Sequence, residues 1–280
     1  MKMVADAQSD LLPETAASEN ARQRFNLLKK KGKHMSETED INKKIWELWT
    51  NHPQKAGARV PKFAVPPRKT DTLLFLGLNP SFPNLKERDK ERIENKTALN
   101  YPRDFEWKTS PLAKAFNRDI VNKHASVHDA DARENYGWFR RLNCLAHYLG
   151  VKINDYGHID LYLWMDANFH EIQKRLNDST YKDFIEQQNN LVVRLLAIHK
   201  PRMIISVYPR AANKLLELGF DVVEQFTPVA NLPLKRAVIR LPTKIEVQVF
   251  RPTKAIPTGK WCMSNLDFDQ MLDYFKRLKV

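Results

Sequence analysis

The sequence predicts an α/β fold, a three-layer α/β/α sandwich around a mainly parallel central sheet. Three observations predict it. Short apolar runs bounded by turn residues recur along the chain: Leu73 to Leu76, "HIDLYLW" at 158–164 and "RMIISVY" at 202–208. Segments with helical spacing separate them, the alternation that builds a parallel sheet with helices on its faces. The chain has 280 residues, 42% of them hydrophobic and 10% aromatic, enough to bury the core of one sizeable domain.

The elements follow in order. Residues 1–35 are polar and small and end in a lysine cluster, "NLLKKKGKHM". This composition predicts a flexible basic leader, or a segment foreign to the native chain with a second start at Met35. "SETE" at 36–39 is a capping box, Ser36 with Glu39 three residues on, and it opens a helix. Ile41, Ile45, Leu48 and Trp49 form the apolar stripe of that helix, and Pro53 stops it. A Pro-rich basic connector leads to the first strand. Residues 84–135 are highly charged and read as an insertion within a single domain spanning 36–280. "WFRRLNCLAHYLG" is an amphipathic helix closed by Gly150. Residues 179–199 form a long helix, "RAANKLLELG" a shorter one with a Gly stop, and "LDFDQMLDYFKRL" the last. "AVIRL" and "IEVQVF" are late strands suited to a hairpin.

Composition narrows the function. A formal net charge of +13 points to a polyanionic partner, nucleic acid before anionic membrane. The plainer reading is a solvated basic surface. No apolar run approaches the roughly 18 residues that cross a bilayer. The two cysteines, Cys144 and Cys262, are far apart, which argues for a reducing, cytoplasmic setting and against a cysteine-held metal site. The eight histidines are scattered without ligand spacing, so neither metal nor cofactor is expected, and the protein is expected to be a monomer.

In an open α/β sheet, ligands bind beyond the carboxyl ends of the strands. The first strand runs into "GLNPSF", Gly77 to Phe82. It has neither the glycines of a dinucleotide fingerprint nor the Lys-Ser/Thr pair of a phosphate loop. A strand ending in Gly-aliphatic-Asn-Pro resembles the first motif of the uracil-DNA glycosylase superfamily. The resemblance covers about residues 70–280, weakly over 84–135, and implies a DNA glycosylase that flips a base and excises it.

The resemblance assigns roles. Asn79 would hold the water that attacks the sugar C1′ as the N-glycosidic bond breaks with oxocarbenium character. Pro80 would stiffen the loop. Ser81 would contact a phosphate, and Phe82 or Tyr101 would stack on the base. The plainer reading is that Asn79-Pro80 makes a turn. On the second strand, Asp160 falls at or near the family's base-reading asparagine. A carboxylate accepts from the N4 amino group of cytosine and repels O4 of uracil, so the implied target is a cytosine-type base, modified or not. Asp160 could instead cap a neighbouring backbone group, or face the other way under a one-residue slip. Asp166 and Asn168 are rival base readers, and Trp164 at the strand end is the one tryptophan placed to meet a base.

The third strand end departs most. The family commonly has His-Pro-Ser; here stands Arg251-Pro252-Thr253. An always-protonated Arg251 would stabilise charge on the departing base but shuttle no proton. It equally suits a phosphate clamp or a lost activity. Thr253, Lys254 and Lys260 are expected on the DNA backbone. Ile256 is either the wedge that fills the vacated stack or a core residue. Arg210, at a helix start, is expected to bind phosphate. The leading expectation is therefore excision of a modified cytosine-type base, with anti-phage defence as a setting that the family suggests. The alternatives are a uracil or thymine-mismatch repair glycosylase, a non-catalytic nucleic-acid sensor, or a nucleotide-processing enzyme.

Overall fold

The computed structural model describes residues 37–52, 63–65, 67, 72–78, 129, 133, 139–163, 169–256 and 262–278, with only the helical backbone for 169–171. The elements among them are α1 (37–51), β1 (Leu73–Gly77), α2 (Arg140–Tyr148), β2 (Gly157–Asp160), α3 (Phe169–Leu176), α4 (Lys182–His199), β3 (Met203–Ser206), α5 (Pro209–Leu216), β4 (Asp221–Pro228), β5 (Leu234–Arg240), β6 (Glu246–Pro252) and α6 (Asn265–Arg277). The expected leader and most of the charged insertion lie outside the described residues.

One six-stranded sheet runs in the order β2-β1-β3-β6-β5-β4. β1 is parallel to both its neighbours, and β3 is parallel to β6. β5 is antiparallel to β6 and to β4, so it alone runs against the others. The sandwich follows from alternation along the strands. Leu74, Leu76, Ile204 and Val249 pack with α1, α4 and α5 through Ile45, Trp49, Leu195 and Leu215. Leu73, Phe75, Ile205 and Phe250 pack with α2 and α6 through Leu142, Leu145, Met271 and Phe275. Covering both faces explains why β1 reads as an unbroken apolar run.

The expected strand at 158–164 is shorter than its apolar run. β2 ends at Asp160, because β1 ends at Gly77 and its ladder has no further rungs. Leu161 and Tyr162 instead donate their N–H groups to the carbonyls of Gly77 and Leu78. β4 was not expected from the sequence. It is an edge strand with most residues exposed, so no alternation marks it. Gly150 closes α2 with φ at +72°, as the sequence indicated.

Two buried polar anchors fix the helices. Asn42 on α1 donates to the carbonyl of Ala64 (3.0 Å) and accepts from its N–H (2.7 Å). Arg133 meets Asp129 at 2.9 Å, donates to the carbonyl of Tyr156 at 2.7 Å, and lies over the Tyr156 ring. Below the start of β2, Gly157 makes room for Leu74 and for the imidazole of His199 at the end of α4.

Burial holds the His199 imidazole neutral, with its pKa lowered to about 4. The unfolded chain takes up that proton near pH 6.5. Stability from this group is thus complete above pH 6.5 and is lost as pH falls towards 4, a change of about 3 kcal/mol. Thermal unfolding measured from pH 4 to 7 is expected to show this slope, and His199→Gln to flatten it. An equal slope in both proteins contradicts the account.

Candidate functional site

The strand order sets where a ligand fits. The chain passes from β1 leftward to β2, then crosses over β1 to β3 on its right. The direction of winding therefore changes beside β1, and the crevice outside the carboxyl ends of β1 and β3 is the switch point where such sheets bind ligands. β1 delivers Gly77 and Leu78 there, and Asn79 follows in the chain. β3 delivers Ser206, whose hydroxyl bonds the carbonyl of Tyr208 and shapes the turn into α5. Pro209 at the first position suits that helix start.

A groove of about 830 Å³ opens at this edge on the α4–α5 side. Leu78 and Tyr162 lie at the strand ends, and Lys182, Asn189, Arg210 and Asn213 reach in from the helices. Burial and the carboxylate of Glu217 raise the pKa of the Tyr162 hydroxyl, so it stays protonated.

On the opposite face, at the same edge, sits a buried carboxylate. Asp160 is 3% exposed and pairs in register with Gly77. Its Oδ1 lies 3.7 Å from Nε2 of His158, two residues back on the same side of β2. The His158 ring packs edge-on against Phe139, at the start of α2. A Cβ on Gly77 would overlap Asp160 Oδ1 and come within 3.2 Å of His158 Nε2. Gly77 is thus required by close approach of a side chain. Its smallness seats the carboxylate against the end of β1.

The expected site residues divide accordingly. Asn79, Pro80, Ser81, Phe82, Tyr101, Trp164, Asn168 and Lys260 lie outside the described residues. Asp160 is the last residue of β2, whereas the sequence reading carried that strand on to residue 164. Arg210 is exposed and lines the groove. Thr253 and Lys254 are exposed just past β6, and the Thr253 N–H donates to the carbonyl of Pro233. Ile256 is corrected: it is fully buried in the α2–α6 core, with its N–H bonded to the carbonyl of Val207, so it presents no wedge to solvent.

Arg251 is at the same edge but on the other face from Asp160. Leu76 pairs with Ser206, and the β3–β6 register sets Arg251 beside Ser206. Two strand spacings of about 4.8 Å then separate the Leu76 and Arg251 backbones by about 10 Å. The Arg251 guanidinium donates to Oδ1 of Asn213 on α5 at 2.6 Å and lies over the Phe226 ring. Asp160 and Arg251 do not converge as a pair of side chains. Lys235, which sequence reasoning missed, stands directly across from Arg251 on β5. Only the hairpin register reveals it. Among the described residues no group of three His, Cys, Asp or Glu side chains can hold a metal ion, and no helix is long and apolar enough to cross a membrane.

Gly77→Ala is expected to displace the Asp160 carboxylate and lower Tm by several degrees, since a methyl group cannot share that space. Gly77→Ala combined with Asp160→Ala is expected to recover part of the loss. Equal Tm for Gly77→Ala and the wild-type chain would refute the close approach. Comparison with family models, curated proteins and solved structures found no match to this chain.

Proposed function

We propose that this protein is a DNA glycosylase with a uracil-DNA glycosylase-like fold, which hydrolyses the N-glycosidic bond of a flipped cytosine-type base. One observation carries the reading: β1 ends at the switch point of the sheet, with the buried Asp160 carboxylate paired beside its last residue, Gly77. "GLNPSF" is the sequence that leaves that strand end. A basic chain of net charge +13 suits a nucleic-acid substrate.

The chemistry asks little of strong bases. The bond to the base lengthens first, and positive charge develops on the sugar. A water must then be held against C1′, and the Asn79 amide oxygen is the group proposed to accept one of its hydrogens. The Asp160 carboxylate is an acceptor, and opposite an N4 amino group it favours cytosine over uracil. Defence against phages with altered cytosines is the proposed setting.

A second reading has its own support. Arg251 replaces the family's histidine, and its guanidinium is held by Asn213 and Phe226 rather than turned towards the Asp160 side. A chain that kept the fold and charge but lost the chemistry would look like this. The two readings part in one assay. Duplexes carrying uracil, mismatched thymine or modified cytosines are incubated with the protein and treated with alkali. The glycosylase reading expects strand breaks at a modified cytosine, reduced about 100-fold or more by Asn79→Ala, and a shift towards uracil with Asp160→Asn. Absence of breaks on every substrate, with DNA binding intact, leaves the sensor.

A further inference from the structure

The β4–β5–β6 part of the sheet handles its charges in two different ways. Along β5, each arginine meets carboxylates. Arg240 bonds Asp221 on β4 and Glu246 on β6, and Arg236 bonds Glu224. On α5, Lys214 is matched with Glu217 at 3.2 Å. One rung beyond Arg236 the pattern stops. Lys235 and Arg251 are directly opposed across β5 and β6, and Lys254 follows three residues later. Among the described residues none of these three forms an ion pair.

Like charges directly opposite one another on antiparallel strands are destabilising. Here a lysine and an arginine face each other at about 5 Å between Cβ atoms, on the side of the sheet that carries α5. The guanidinium is also pre-positioned. Stacking on Phe226 and a bond to Asn213 fix its plane, and among the described residues that bond uses one of its five N–H donors. The exposed hydroxyl of Thr253 adds a neutral donor at the same rim. A rigid guanidinium, an ammonium without an ion pair among the described residues and a hydroxyl at one strand end match the geometry and charge of phosphate diesters.

We propose that Lys235, Arg251 and Lys254 form a phosphate-binding strip that grips the nucleic-acid backbone, with the β4–β5 hairpin as its outer wall. Arg251 is then a backbone clamp and not a group acting on the departing base. The strip lies at the same sheet edge as the switch point, so it positions a strand across that crevice. The inference deepens the nucleic-acid part of the proposed function, yet it needs no glycosidic chemistry.

The test is binding of a fluorescent 20-base-pair duplex, followed by anisotropy over a series of salt concentrations. Lys235→Gln is expected to weaken binding and to make the log–log salt slope shallower by about 0.9, the loss of one phosphate contact. Arg251→Gln is expected to do the same. Arg236→Gln, one residue along but already ion-paired, is expected to leave the slope unchanged. Circular dichroism melts confirm that each variant folds. The proposal is overturned if Lys235→Gln keeps the wild-type slope, or if Arg236→Gln lowers it equally. It is also overturned if the protein binds vesicles of phosphatidylserine through Lys235 but not the duplex. Loss of base excision by Asn79→Ala with an unaltered salt slope separates failure of the chemistry from failure of the strip.

Discussion

The parallel pairing of β1 with β2 and β3 is the constraint on which the rest of the molecule depends. It sends three strand ends to one edge and sets Gly77 against Asp160. A buried carboxylate is expensive to hold in an apolar core, and it persists only with polar neighbours close by. Here the neighbour is His158, on the same side of the same strand, and the room comes from the missing side chain of Gly77. Sequence, register and burial thus place a buried polar pair at the carboxyl edge of the sheet, on the face opposite the groove.

The two faces of that edge divide the labour. The α2–α6 face carries the Asp160–His158 pair within an otherwise apolar core. The α4–α5 face carries a roomy groove and, beyond it, Lys235 and Arg251, which form no ion pair among the described residues. A polymer lying along the second face would present one unit at a time to the crevice beside β1. In the proposed function, the charge strip would supply long-range attraction and the Asp160 carboxylate discrimination, from two sides of the sheet.

Much of this was legible in the residues. Short apolar runs and amphipathic spacing gave the strands β1, β2, β3, β5 and β6 and the helices that cover them except α3, because burial on both faces leaves a continuous signal. The site edge was legible through "GLNPSF" and Asp160, since strand ends in such sheets hold ligands. β4 was not, because an edge strand exposed along most of its length needs no apolar pattern. Ile256 was ambiguous because a buried isoleucine and a wedge look identical in a loop sequence. The opposed pair Lys235 and Arg251 is 16 positions apart in the chain, and only the antiparallel register brings it together. The same limit hid the fact that Asp160 and Arg251 face opposite ways, which a one-residue change in register would reverse.

The central claim is that nucleic acid engages the carboxyl edge of this sheet. Amide hydrogen exchange of the full chain, with and without a saturating DNA duplex, tests it most directly. The account predicts slowed exchange over 206–214, 229–236 and 251–256, with no change at the opposite edge over 199–203 and 241–246. Protection centred on that opposite edge, or a bound duplex that protects neither, would contradict it.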